Sequence, residues 1–140
     1  MQITPHLQFD GQCRAAFTRY QQLLGGELRV FTYGDSPMAA QTESKWHDRI
    51  IHATLVLDGT ELAGADVLPP DYRRPQGFSV LLSFDDLSEA KRVFMELARD
   101  GEIRFPFQKT FWSPGFGVLV DQFGSPWEIS CERSPSACLH

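Results

Sequence analysis

The sequence predicts an α+β fold in which two βαβββ modules supply an eight-stranded curved half-barrel, or cup, with helices on the outer face. Three observations carry this. Strand and helix patterns run in the order βαβββ and begin again near residue 77. At an offset of 75, Leu7, Phe9, Asp10, Ala15, Gly26 and Glu27 meet Leu82, Phe84, Asp85, Ala90, Gly101 and Glu102. A period this long marks a two-module duplication, not a solenoid. Third, alternation along several strands sends apolar side chains one way and polar ones the other.

Residues 3–9 alternate as a strand, with Ile3, Pro5, Leu7 and Phe9 on one face and Thr4, His6 and Gln8 on the other. Residues 12–24 carry Ala16, Phe17, Tyr20, Leu23 and Leu24 at helical spacing, and Gly25-Gly26 stops the helix. A strand over 27–33 follows, then a polar loop, 34–48, whose length makes it a candidate lid. Residues 49–57 and 60–65 flank Asp58-Gly59 as a hairpin, and a proline-bearing loop spans 66–76. In the second module a strand over 77–84 leads to Asp85-Asp86, which can cap a helix with inner positions Leu87, Ala90, Phe94, Leu97 and Ala98. Strands over 102–107, 116–121 and 127–132 complete it. The expected organisation is one domain over 1–140: module 1 about 1–66, module 2 about 77–132, and a frayed polar tail 133–140 containing Cys138.

At 140 residues the chain has the length of one domain, able to bury roughly two thirds of its unfolded surface. A 42% hydrophobic and 22% charged composition argues for a packed core and against disorder. A net charge of −5, without a Lys/Arg run, gives no basic field for nucleic acid. No apolar run approaches the ~20 residues of a membrane helix, and the first residues carry no secretory pattern. Three cysteines, Cys13, Cys131 and Cys138, without metal spacing fit a reduced, cytoplasmic protein. Cys13 starts the first helix and has no assignable partner.

A sheet covered by a helix on one face leaves its polar set on the other. His52 and Thr54 share a face with Ile50 and Val56; Glu128 shares one with Ser130 and Glu132, while Trp127, Ile129 and Cys131 point to the core. The cup would then collect Thr4, His6, Gln8, His52, Thr54, Ser79, Ser83, Glu128 and Ser130. His52 and Glu128 differ by 76, close to the repeat offset, which makes them candidate counterparts. A carboxylate in an apolar strand must reach water, find a partner or bind a metal. Either residue serves a ligand, a metal or a structural pair. Phe111 and Trp112, with Pro114-Gly115, form a loop that either walls the site or packs. Trp46-His47 and Tyr72-Arg73-Arg74 sit in loops that close over a ligand or cover a partner subunit.

The motifs Pro5-His6-Leu7-Gln8-Phe9-Asp10-Gly11, Leu24-Gly25-Gly26-Glu27, Ile51-His52-Ala53-Thr54-Leu55, Thr110-Phe111-Trp112 and Asp121-Gln122-Phe123-Gly124-Ser125-Pro126-Trp127 resemble the vicinal oxygen chelate superfamily. That superfamily includes glyoxalase I, extradiol dioxygenases and the bleomycin resistance proteins, and the chain is most similar to its PhnB-like branch. The resemblance implies a divalent metal (Zn, Ni, Mn or Fe) held by side chains that fall here on Thr4 or His6, His52, Ser79 and Glu128. It also implies a homodimer whose modules complete each other's cups, sometimes by swapping. Thr4 and Ser79 are neutral hydroxyls and weak metal ligands, which leaves His52 and Glu128 as the expected pair. The favoured reading is a small-molecule binder using His6, Gln8, His52, Thr54, Ser79, Phe111, Trp112 and Glu128 without a full metal-ligand set. The alternatives are a metal-dependent lyase, isomerase or dioxygenase with Glu128 as best catalytic candidate, and a role in assembly alone. The branch is sometimes labelled methyltransferase-like, but no Gly-rich strand–turn–helix segment for an adenosyl cofactor is present.

Overall fold

A computed structural model describes residues 1–132; the expected tail, 133–140 with Cys138, lies outside the described residues. The chain divides into two compact units at residues 74 and 75, each with its own core. In the first, β1 (His6–Phe9), α1 (Cys13–Leu24), β2 (Glu27–Thr32), β3 (Ile50–Leu57) and β4 (Thr60–Asp66) give a sheet of order β1-β4-β3-β2. In the second, β5 (Val80–Phe84), α2 (Leu87–Ala98), β6 (Glu102–Gln108), β7 (Gly115–Val120) and β8 (Pro126–Cys131) give β5-β8-β7-β6. The strand correspondence is exact, with the outer strand parallel and the rest antiparallel in both. Both sheets are open, and the α+β duplication is as the sequence predicts.

Each helix covers one face of its own sheet, and a glycine in that sheet receives its central phenylalanine. A Cβ at Gly64 would sit 2.6 Å from the Phe17 ring, and one at Gly117 would sit 2.5 Å from the Phe94 ring. Phe9, Phe17 and Tyr20 stack edge-on in the first core, with centroids 6.0 and 5.5 Å apart. In the second, Phe94 meets Phe107 at 5.5 Å and Trp127 is fully buried. The Trp127 indole N–H donates to Asp121 Oδ2 at 2.8 Å, while Asp121 Oδ1 accepts from the Phe123 and Ser125 amides. One buried carboxylate therefore folds the β7–β8 turn and satisfies the indole.

Asp66 plays the equivalent part in the first unit. It is 1% exposed and accepts from the Cys13 amide at 3.0 Å and the Ile50 amide at 2.8 Å. Gln12, at the N-cap of α1, offers no side-chain cap, so Asp66 fills that role from across the sheet. Helix α2 has a local cap instead: Asp86 accepts from the Ser88 amide. The Cys13 thiol is fully buried, and desolvation together with the nearby Asp66 charge pushes its pKa up strongly, so it stays protonated.

Several expectations are corrected. The strands near residues 3 and 77 begin later, at His6 and Val80, leaving Thr4 and Ser79 half-buried in the segments leading in. Ile3 and Phe78 are exposed and take no part in either core. Ile50 does not share a face with His52. Phe31 pairs with His52 and Thr32 with Ile50, so Ile51 is an extra residue in β3. This β-bulge reverses the alternation, and Ile50 turns into the core at 1% exposure. The 34–48 loop contains short 3₁₀ turns at Ala39–Gln41 and Ser44–Trp46. His47 Nε2 lies 3.1 and 2.9 Å from the Ala39 and Thr42 carbonyl oxygens, so it carries the proton and ties both turns.

Candidate functional site

Each sheet keeps one face free of its own helix, and the strand register decides what that face presents. On the first sheet, His6 of β1 pairs with Ala63 of β4, and Ala63 pairs with Thr54 of β3. Strand β4 therefore places alanines, Ala63 and Ala65, between β1 and β3. Strands two apart in a sheet are separated by about 9.5 Å. Side chains from β1 and β3 meet only if the strand between them is low, and the alanines make it so. The His6 and His52 rings stand with centroids 6.0 Å apart, inclined at 37°. His52 Nε2 lies 3.0 Å from Thr54 Oγ1 on the same strand. Gln8 is exposed one pleat beyond His6.

Partial burial, then repulsion from a charge on His52, holds the His6 pKa below the ordinary imidazole value, against a smaller opposing backbone hydrogen bond. His6 is thus biased toward its neutral form, in which one ring nitrogen is a free lone-pair donor. Phe31 of β2, directly opposite His52, is 59% exposed and adds an aromatic ring to the same face. Sequence reading left Phe31 out of the site. The signal was the alternation in β2, where Glu27, Arg29 and Phe31 point out and Leu28, Val30 and Thr32 are half-buried.

On the second sheet, Leu81 of β5 pairs with Glu128 of β8, and Glu128 with Val118 of β7. Ser83, Ser130 and Phe116 form the neighbouring row. Glu128 is half-buried in an apolar row, as its strand pattern predicts. Its place corrects the expected counterpart relation. Residue for residue in the two registers, Glu128 takes the place of Ala63, and Val118 that of Thr54, which puts Phe116 at the place of His52. The near match to the repeat offset arises because the β2–β3 connection is long and the β6–β7 connection is short.

Phe111 and Trp112 lie beside this second face. Phe111 meets Trp112 at 4.8 Å and 82°, Trp112 meets Phe116 at 5.3 Å and 67°, and Phe116 meets Phe105 of β6 at 6.0 Å. Phe105 joins them because the β6–β7 pairing shifts register on both sides of it. Pro106 is tolerated there, since β6 is an edge strand with no neighbour to receive its missing N–H. The loop holding Phe111 and Trp112 is pinned underneath. Ser113 is 1% exposed; its hydroxyl lies 2.7 Å from the Gly115 carbonyl and 2.6 Å from that of Cys131, and it accepts from the Gly115 amide. The Ser113 amide in turn donates to Thr110 Oγ1.

The structure thus brings His6, Gln8, His52 and Thr54 together on one face, and Phe111, Trp112 and Glu128 on or beside another. Ser79 precedes β5 and takes no strand-register position. A cavity of about 400 Å³ between the Gln2–Thr4 segment and the β3–β4 hairpin contains, of the predicted polar set, Thr4 alone. Among the described residues, no group of three or more His, Cys, Asp or Glu side chains is arranged to hold a metal ion. No helix among them is long and apolar enough to cross a membrane.

Residues 1–130 match the family model described as 3-demethylubiquinone-9 3-methyltransferase. The chain belongs to that family. It is 34% identical to Protein YjdN of Escherichia coli (strain K12) over 93% of this chain and 95% of that one. Protein PA1353 from Pseudomonas aeruginosa shares 39% identity with a TM-score of 0.85, covering 96% of this chain and 99% of its own. The PhnB protein from Bacillus cereus shares 25% identity with a TM-score of 0.76, over 94% and 99%. A glyoxalase/bleomycin resistance protein/dioxygenase from Nocardioides, 17% identical over 96% and 86% with a TM-score of 0.53, shares the fold. The chain is PhnB-like, and its fold is the one seen in the glyoxalase/bleomycin resistance protein/dioxygenase structure.

Proposed function

We propose that this protein binds a small molecule on the open faces of its sheets, and that His6, Gln8, His52 and Thr54 are its polar contacts on the first. The observation that carries the reading is the approach of two imidazoles across Ala63, on a sheet face its own helix does not cover. Two exposed imidazoles, a hydroxyl and a carboxamide, beside the Phe31 ring, suit a compact polar ligand with an apolar edge. On the second face Glu128 is the proposed acidic contact, with Phe111 and Trp112 beside it.

A thermal-shift screen over aromatic, glycopeptide-like and small anionic compounds tests this, with His6→Ala and His52→Ala as controls. A specific ligand at a hundred times its dissociation constant stabilises by about 2.7 kcal/mol and must raise the melting temperature. A shift retained in both variants would place the ligand elsewhere.

A second reading has an observation of its own. With metal–nitrogen bonds of about 2.0–2.1 Å, each imidazole centroid lies roughly 3 Å from a shared ion, so a 6.0 Å separation fits two ligands of one divalent cation. On this reading His6 and His52 hold Zn²⁺, Ni²⁺, Mn²⁺ or Fe²⁺. The ion would polarise adjacent oxygens of a substrate. Stoichiometric metal in protein purified without chelator, lost in His52→Ala, supports it; metal-free protein that takes up none of the four ions opposes it.

The methyltransferase activity in the family description is less well supported. Among the described residues Gly11 is the one glycine between a strand and the helix that follows it, and a Cβ there would overlap the Arg49 guanidinium, so that turn is already filled. A homodimer is part of the proposal, because each open sheet leaves two edge strands to be managed. Sedimentation at 15.9 kDa alone would contradict it.

A further inference from the structure

We infer that the open face of the second sheet takes an organic cation, a quaternary or alkylated ammonium group seated among Phe105, Trp112 and Phe116 and neutralised by Glu128. The inference rests on the reading of the open faces as ligand surfaces and goes beyond it by assigning this face a chemical class.

Four aromatic rings form a continuous chain with centroid spacings of 4.8, 5.3 and 6.0 Å. Adjacent rings stand at 82°, 67° and 57°, so they do not stack in a flat layer. Steeply inclined rings make concave corners whose walls are π faces, and the negative quadrupole of those faces attracts cations. Phe111 is 97% and Trp112 53% exposed, so both rings are open to a ligand. They are nevertheless held in place, because Ser113 beneath them is buried and ties the loop to Gly115 and to β8. Rings exposed yet fixed form a preorganised surface, and preorganisation reduces the entropy lost on binding.

Charge decides the ligand class. The two rows that the register brings to this face carry Glu128 and no basic side chain among the described residues; on the adjoining edge Arg104 of β6 pairs with Glu102, and Lys109 follows just past that strand. The exposed Glu132 follows just past the end of β8, with its carboxylate 3.5 Å from the Ser130 hydroxyl. A neutral aromatic ligand has no use for Glu128, and an anion would be repelled by both carboxylates. An ammonium group uses the rings and the carboxylates together.

The test compares choline with 3,3-dimethylbutan-1-ol, its uncharged isostere, by titration followed on the Trp112 indole N–H signal. Choline is expected to bind about tenfold more tightly than the alcohol, in line with a partly desolvated cation–π contact. Trp112→Leu, an exposed position whose change leaves the core intact, abolishes that preference, and Glu128→Gln weakens choline severalfold while leaving the alcohol unchanged. Equal affinity for the two probes, or a Trp112 signal that neither moves, overturns the inference. Protection of Trp112 in a self-associated form, with no choline response, overturns it in favour of a second copy as occupant. A neutral compound from the thermal-shift screen that binds while choline does not removes the cation assignment alone; a melting temperature that no compound moves removes the parent reading as well.

Discussion

Replacing Asp66 separates a structural from a functional cause for the shape of the first site. Its carboxylate accepts from the Cys13 amide, opening α1, and from the Ile50 amide, at the bulge that turns His52 outward and Ile50 inward. At 1% exposure, water cannot replace it without rearrangement. Each buried amide left unsatisfied costs about 1–3 kcal/mol, so Asp66→Ala, which strands two, is expected to lose roughly 2–6 kcal/mol. Asp66→Asn keeps one acceptor oxygen and sets an NH₂ group against the other amide, so about 1–3 kcal/mol is expected. Urea unfolding followed by circular dichroism measures both through the midpoint, with an unchanged slope as the sign that the unfolded reference is the same. A loss below about 1 kcal/mol for the alanine variant would show that the two amides find other partners. The account of how the bulge is held would then be wrong.

Three further outcomes follow from particular contacts. Trp127→Phe keeps most of the buried ring but removes the donor to Asp121 Oδ2, and should cost about 1–3 kcal/mol in the same unfolding assay. Gly64→Ala drives a methyl against the Phe17 ring and should cost about 1–3 kcal/mol through overpacking, which Phe17→Leu in the same chain should partly relieve. The lowered His6 pKa means that between that value and the ordinary imidazole value of 6.5 the unfolded chain binds more protons than the folded one. His6 therefore contributes stability that is whole above 6.5 and is lost as pH falls through that window to its folded pKa. Melting temperatures measured across it should fall less steeply in His6→Gln; identical pH profiles would remove the imidazole repulsion from the account.

The duplication was legible because both modules repeat the same local signals. Leu7 and Phe9 recur as Leu82 and Phe84, and Gly26-Glu27 as Gly101-Glu102. Alternation also placed His6, Gln8, His52, Thr54 and Glu128 on open faces correctly, since a half-covered sheet leaves no other arrangement for them. What alternation cannot show is a bulge. Ile51 has no marker of its own, and its effect on Ile50 depends on the Asp66 carboxylate 16 positions away. The pairing of His52 with Glu128 as counterparts failed for a related reason. Sequence offset counts loop residues, while equivalence in a sheet is set by hydrogen-bonded register, and the long β2–β3 connection separates the two measures. Ala63 went unnoticed because its contribution is the absence of bulk. Phe105 and Phe116 could be joined to Trp112 only once the β6 register shifts were known.

The central claim is that His6 and His52 act together on one ligand. Long-range ¹H–¹⁵N spectra of the imidazoles, recorded while the strongest thermal-shift hit is titrated, test it most directly. The four ring nitrogens of His6 and His52 should move with one common dissociation constant. His47, whose Nε2 is held by the Ala39 and Thr42 carbonyls, should stay still. A ligand that binds while both imidazole pairs remain unmoved, or that shifts His47 and leaves His6 and His52 alone, would contradict the account.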